Sequence, residues 1–164
     1  MWMQTNSSLI HKSLAFLNTR TFEDFRPGLR LSSSPCKITA EEIKCFARNF
    51  DPQLFHLDSA KAETTIFGGL AASGWNTAAV SMRLFVQTMS VAGGIIGLGV
   101  DELRWPNAVR PDDELRLEIE ILETRLSKSR ASYGIIRVRN TTRNQRGEVV
   151  QSFTATAMVP RRDR

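Results

Sequence analysis

The sequence predicts an α+β fold in which a sheet wraps around one long helix. Three observations predict it. Residues 74–89 carry apolar side chains around most of a helical surface, which is the pattern of a helix enclosed by other elements. Glu114 to Ser127 reads ELRLEIEILETRLS, with Leu115, Leu117, Ile119 and Ile121 on one side and Arg116, Glu118 and Glu120 on the other. A period of two is the mark of a half-buried strand. Two further strand-like runs follow, Ser132–Thr142 and Glu148–Pro160, with a hairpin turn at Asn144–Gly147 between them. A helix followed by an antiparallel meander is an α+β layer arrangement.

In chain order, the first 22 residues contain no acidic side chain, no long apolar core and no small-residue cleavage site. These features argue against a secretory signal, and Lys12 and Arg20 alone make a weak transit peptide. Residues 1–21 are therefore expected to form a loosely ordered extension, with His11 inert, and residues 22–164 to form a single domain. Phe22–Leu31 reads as a turn and a short strand around Pro27-Gly28. Thr39 and Glu42 make a capping box, with Ile43, Phe46 and Ala47 at helical spacing behind it. A helix is expected from Ala40 to Asn49, where Pro52 blocks its continuation. Asp51–Asp58 is then a loop, and Ser59–Glu63 a helical turn. Gly68-Gly69 breaks the chain, and Ala71, Ala72, Ser73 and Gly74 let backbones pack closely at the start of the long helix. Gly94–Trp105 reads as a strand, and Asn107–Asp113 as a turn with Pro111.

The 164 residues fit one domain. With 41% hydrophobic and 24% charged residues the chain is neither disordered nor membrane-embedded in composition. No apolar stretch approaches the roughly 20 residues that span a bilayer, so a cytoplasmic protein without a membrane partner is expected. Cys36 and Cys45 form no CxxC pair and no histidine cluster joins them, which points to free thiols in a reducing compartment and no metal site. The net charge of +5 raises nucleic-acid binding. The arginines instead alternate with Leu, Ile and Val in strand-like runs, so no nucleic-acid partner is expected. They fit solvated sheet faces, or a basic rim for a phosphorylated ligand.

The stretch FDPQLFHLD places Asp51 and His56 five residues apart among Leu54, Phe55 and Leu57. A loop on a rigid scaffold is a common seat for catalytic groups. Apolar neighbours keep such a site dry, and histidine exchanges protons near neutral pH. The same spacing also fits an exposed aspartate beside a packed core histidine. Further on, FGGLAASGW leads into the long helix. Glycine there allows close approach of a ligand carbonyl, and the free N–H groups of a helix N-terminus favour developing negative charge. Close packing alone explains these glycines equally well.

Taken together, these residues resemble the MaoC-like hotdog dehydratases, which include the (R)-specific enoyl-CoA hydratases. The resemblance covers about Phe22 to Arg162. It rests on the Asp-x4-His spacing of Asp51 and His56, with Asp58 two residues on; on Ser73-Gly74 at the helix start; on Gly99, Arg104, Trp105, Val109 and Pro111 in a G-x4-R-W-x3-V-x-P pattern; and on Asn144, Gln145, Gly147 and Glu148 in N-Q-x-G-E. The resemblance implies a hotdog fold, a long central helix wrapped by a curved antiparallel sheet, assembled as a homodimer. It implies an acyl-CoA substrate with no cofactor other than coenzyme A itself. It further implies that Asp51 and His56 activate the water that adds to a trans-2-enoyl-CoA to give a 3-hydroxyacyl-CoA, or the reverse. The backbone of Gly74, next to Ser73, would form the oxyanion hole. Phe55, Trp75 and Phe85 are expected at the acyl pocket, where core packing explains them equally well.

The chain departs from the family pattern at Gln53-Leu54, where Asn-Pro is common, at Ser73, where a His is common, and at Ala79, where a hydroxyl is common. Two rivals stand on the same fold. A thioesterase would place a carboxylate on the central helix, and Gly74–Met89 contains no Asp or Glu. A non-catalytic acyl-CoA binding protein would not need Asp51.

Overall fold

The computed structural model describes residues 19–162. After a 3₁₀ turn at Phe22–Asp24 come the short strands β1 (Arg30–Ser32) and β2 (Cys36–Lys37) and helix α1 (Ala40–Phe50). Two single-turn helices follow, α2 (Leu54–Leu57) and α3 (Ser59–Ala62), and then the long helix α4 (Gly74–Met89). The chain ends in four strands, β3 (Ile96–Arg104), β4 (Glu114–Leu126), β5 (Tyr133–Arg143) and β6 (Val149–Pro160). The strand order is β1-β4-β5-β6-β3, with β2 also on β4, and every pairing is antiparallel. This is the α+β arrangement that the periodicities predict.

Two apolar clusters hold the layers together. In the larger, Leu117, Ile119 and Ile121 of β4 lie beside Ile136 and Val138 of β5 and Ala157 and Val159 of β6, and Leu84, Phe85 and Met89 of α4 pack onto them. The alternation of β4 makes this possible, because each second side chain faces the helix while the intervening charges face outward. In the smaller cluster, Ile43 of α1 meets Leu70, Ala72, Val109, Leu115 and Val150. It fastens α1 and the segment leading into α4 to one end of the sheet. The Thr39–Glu42 capping box forms: the Glu42 N–H donates to Thr39 Oγ1 at 3.2 Å, and the Thr39 N–H donates to a Glu42 carboxylate oxygen at 2.8 Å.

Several expectations need correction. The segment Asp51–Asp58 is not a plain loop, because Leu54–Leu57 closes one helical turn and carries His56 on it. The β3 strand begins at Ile96 rather than Gly94; Gly93 and Gly94 both adopt positive φ, which a strand does not accept. Helix α4 is not enclosed on all sides. Trp75, Met82 and Val86 are 60%, 50% and 55% exposed. The sheet covers one flank of the helix, and β3, a free edge among the described residues, leaves the other open beside its own exposed Ile96, Leu98 and Val100. Of the expected extension, residues 1–18 and with them His11 lie outside the described residues, as does Arg164. Arg20 lies inside and is docked: its N–H donates to Ser90 O and its carbonyl accepts from Ala92 N. Cys36 and Cys45 are free thiols. No helix among the described residues is long and apolar enough to cross a membrane.

Candidate active site

Asp51 is the residue at which α1 ends, its backbone leaving the helical region at φ −153° and ψ 70°. Pro52 then redirects the chain, and the Gln53 N–H donates to Asp51 O at 2.7 Å. The single turn of α2 brings His56 back toward Asp51. Its Nδ1 lies 2.7 Å from the carbonyl of Ala71. A carbonyl only accepts, so Nδ1 carries a proton, and in the neutral ring Nε2 is a bare acceptor. That Nε2 lies 3.4 Å from Asp51 Oδ2. The imidazole is buried among aromatic rings, with Phe55 edge-on at 4.6 Å between centroids and Phe67 at 6.2 Å.

Ser73 ties this pair to the long helix. Its hydroxyl donates to Asp51 Oδ2 at 2.6 Å and accepts from the Trp75 N–H at 3.2 Å, so one side chain caps α4 and orients the carboxylate. Gln53 Nε2 donates to the other carboxylate oxygen, Oδ1, at 2.7 Å. Burial pushes the Asp51 carboxyl up, but the hydrogen bonds from Ser73 and Gln53 and the neighbouring imidazole outweigh it and hold the group below the ordinary aspartate value.

Gly74 opens α4. As the first helical residue its N–H has no acceptor within the helix. A side chain is impossible there without movement: a Cβ would stand 2.7 Å from the indole of Trp105. That indole is itself fixed, its Nε1 donating to Gln151 Oε1 at 2.8 Å. His56, Gly74, Thr77, Trp105 and Phe67 together line a cavity of about 220 Å³. The His56 ring and the first residue of α4 thus line the same small space.

Of the residues expected at the site, Asp51, His56, Ser73 and Gly74 converge. Those expected at the acyl pocket do not share one cavity. Phe55 packs against His56 and Phe67, Trp75 is largely exposed, and Phe85 lines a separate cavity of about 420 Å³ farther along α4. Trp75 and Phe85 stand ten residues apart on α4, about 15 Å along its axis, and Phe55 lies on another helix. Asp58 caps α3, accepting from the Ala60 and Lys61 amides at 3.1 Å.

Sequence reasoning missed Gln53 and Arg110. The Arg110 guanidinium donates to the carbonyls of Gly69 at 2.9 Å, Leu70 at 3.2 Å and Phe67. It thereby shapes the segment whose next carbonyl, on Ala71, holds His56. The placement of Arg110 beside Pro111 in the R-W-x3-V-x-P pattern was the available signal. Val109 of that pattern accepts from the Ala72 N–H at 2.9 Å, and the N-Q-x-G-E residues form the β5–β6 hairpin, closed by Gly147 at φ +80°.

The MaoC like domain model matches residues 26–144. The crystal structure of a MaoC-like dehydratase from Rhodospirillum rubrum is 49% identical, with a TM-score of 0.83 over 88% of this chain and 99% of that one. The R-hydratase PhaJ1 from Pseudomonas aeruginosa is 27% identical, with a TM-score of 0.73 over 87% of this chain and 86% of that one. A mesaconyl-CoA hydratase from Cereibacter sphaeroides is 29% identical over 88% of this chain, which spans only 42% of that enzyme.

Proposed function

The chain belongs to the MaoC-like dehydratase family, and on that premise we propose that it is an acyl-CoA hydratase/dehydratase, adding water to a trans-2-enoyl-CoA to give a 3-hydroxyacyl-CoA or running the reverse. The observation that carries this reading is the pairing of two acceptors. With Nδ1 committed to Ala71, His56 Nε2 faces Asp51 Oδ2 at 3.4 Å, and neither can donate to the other while the ring is neutral. A water donating one hydrogen to each satisfies both and presents its oxygen lone pairs outward.

In the proposed reaction that oxygen bonds to C3 of the enoyl thioester. The C2=C3 π electrons move to C2 and the thioester oxygen as an enolate. The Gly74 N–H, at the positive end of α4, would stabilise that charge. The proton released by the water is carried by the Asp51–His56 pair and delivered to C2, so the sum is one water added and nothing else consumed. No cofactor is needed beyond the coenzyme A that the substrate carries. The hydratase names of two similar proteins support the reaction class, and the coenzyme A ester in one of those names supports the thioester.

A second copy of this chain is the proposed partner. The β3 edge leaves Ile96, Leu98 and Val100 exposed beside Trp75, Met82 and Val86 of α4. A long apolar strand edge is a template for pairing with another chain, and a contiguous exposed apolar surface marks an interface. Sedimentation should find dimers at micromolar concentration.

Hydration of crotonyl-CoA, followed by loss of enoyl absorbance, tests the activity. Turnover by the wild type with losses of about a hundredfold or more in Asp51→Asn and His56→Ala is expected. Silence of the wild type across longer and branched enoyl-CoAs, with acyl-CoA still bound, would replace the hydratase with a binding protein.

A further inference from the structure

Among the described residues, four buried polar side-chain atoms lack a hydrogen-bond partner, and two of them are the amide nitrogen and oxygen of one residue, Asn140 of β5. Asn140 is fully buried. It lines the cavity of about 420 Å³ between α4 and the sheet, with Phe85 and Phe153 on its inner wall and, on its open side, Met82, Val86 and Leu98 of the face proposed above for the second copy. Thr156 is the second polar side chain of the lining, and no charged side chain contributes. Burying a donor and an acceptor unpaired costs stability that an apolar residue would not cost.

Polar side chains are spaced between this cavity and the wall of the dyad cavity. Trp105, on the wall of the dyad cavity, donates to Gln151, whose own Nε2 is another of the unpartnered atoms. Gln151 pairs across the sheet with Thr142, and Thr142 shares a 2.7 Å hydrogen bond with Ser81 of α4. Asn140 lies two residues from Thr142 on the same inward face of β5. Met82 and Phe85 stand about two and three helical turns beyond Gly74.

Resting on the hydratase reading, we propose that this cavity takes the far end of the acyl chain and that Asn140 selects chains bearing an uncharged hydroxyl group there. A side-chain amide offers donor hydrogens and an acceptor oxygen side by side. A hydroxyl matches both, donating to Oδ1 and accepting from Nδ2. A ketone answers only Nδ2, and a plain alkyl chain answers neither, leaving the amide unpaired in the complex. A carboxylate brings a charge into an apolar space with no cation to meet it. The preferred class is thus hydroxyacyl, distinct from the dicarboxylic type.

The test is calorimetric titration of the wild type and Asn140→Leu with saturated acyl-CoAs of six to twelve carbons, each with and without a terminal hydroxyl. These ligands cannot be hydrated, so binding is read apart from turnover. The wild type should bind the hydroxylated member about tenfold more tightly at one chain length at least, with the carboxylated analogue weakest, and Asn140→Leu should reverse the order in favour of the plain chain. The corresponding 2-enoyl-CoAs should show the same pattern in kcat/KM. Asn140→Leu should melt no lower than the wild type. If it does not fold, Asn140→Ser is titrated instead and should lose the same preference. Absence of the preference in the wild type, its survival in the variant, or failure of any acyl-CoA to bind overturns the proposal; an Asn140 that merely holds a water gives the second result. A hydroxyl preference without any enoyl turnover leaves the selectivity standing and removes the hydratase.

Discussion

The two halves of α4 bury opposite kinds of side chain. In the first half the inward residues are polar: Ser73 at the cap, then Asn76, Thr77 and Ser81. In the second half they are Leu84, Phe85 and Met89, packed on the sheet. Apolar Trp75, Met82 and Val86 face outward along the same helix. A helix built only to stabilise the fold would do the reverse in its first half. On the proposed function, α4 is a support at one end and serves the chemistry at the other. Local stability is given up where a carboxylate, a helix N-terminus and a seam of hydroxyls and amides must be presented.

Substitutions sharpen or break that contrast. The largest effect is expected at Asp51→Asn and His56→Ala, which should abolish most turnover per folded molecule, about a hundredfold or more; the isosteric Asp51→Asn should do so with the smaller loss of stability, because His56→Ala also empties a buried site. Removal of Leu84 in the packed half should do the opposite. Leu84→Ala is expected to cost about 2–5 kcal/mol by denaturant titration, with activity per folded molecule nearly unchanged. If Leu84→Ala silenced the folded enzyme, the halves would not be separable. Gly74→Ala sits on the boundary and should do both. Its Cβ meets the Trp105 indole at 2.7 Å, so the indole or the helix must shift; about 1–3 kcal/mol of stability is expected to go together with most of the rate.

The smallest effect is at Ser73→Ala. Loss of its hydrogen bonds to Asp51 and Trp75 should cost about 1 kcal/mol and about tenfold in rate. It also has a pH signature. The Asp51 carboxyl is held below its ordinary value, so its ionised form adds stability that is complete above about pH 4 and is lost as pH falls through the lowered value. In Ser73→Ala the carboxyl moves back up, the two states titrate more alike, and the fall in stability over that acid range should be shallower than in the wild type.

Local signals were legible in the sequence where the cause was local. The Thr39–Glu42 box sets the start of α1 within the segment itself, and the alternation of β4 places Leu115 to Ile121 inward without reference to any other part of the chain. The approach of Asp51 and His56 follows from a helix stop at Pro52 and one turn of chain. What could not be read depends on partners distant in sequence. The exposure of Trp75, Met82 and Val86 is decided by β3 falling at the sheet edge. The role of Arg110 is decided by carbonyls about 40 residues upstream. The turn at Leu54–Leu57 has no side-chain cap at Gln53 to announce it. Asn140 looks like any strand asparagine until its surroundings are known to be apolar.

The indole that forbids a side chain on Gly74 has a second consequence, in light emission. Trp105 stands edge to face with Trp75, centroids 5.3 Å apart, and borders the dyad cavity. A thioester oxygen arriving at the Gly74 amide would come to rest against that ring and displace water from it. Occupancy of the site should therefore alter the colour and yield of tryptophan fluorescence, and the molecule would report its own binding events with a dye already built into the wall.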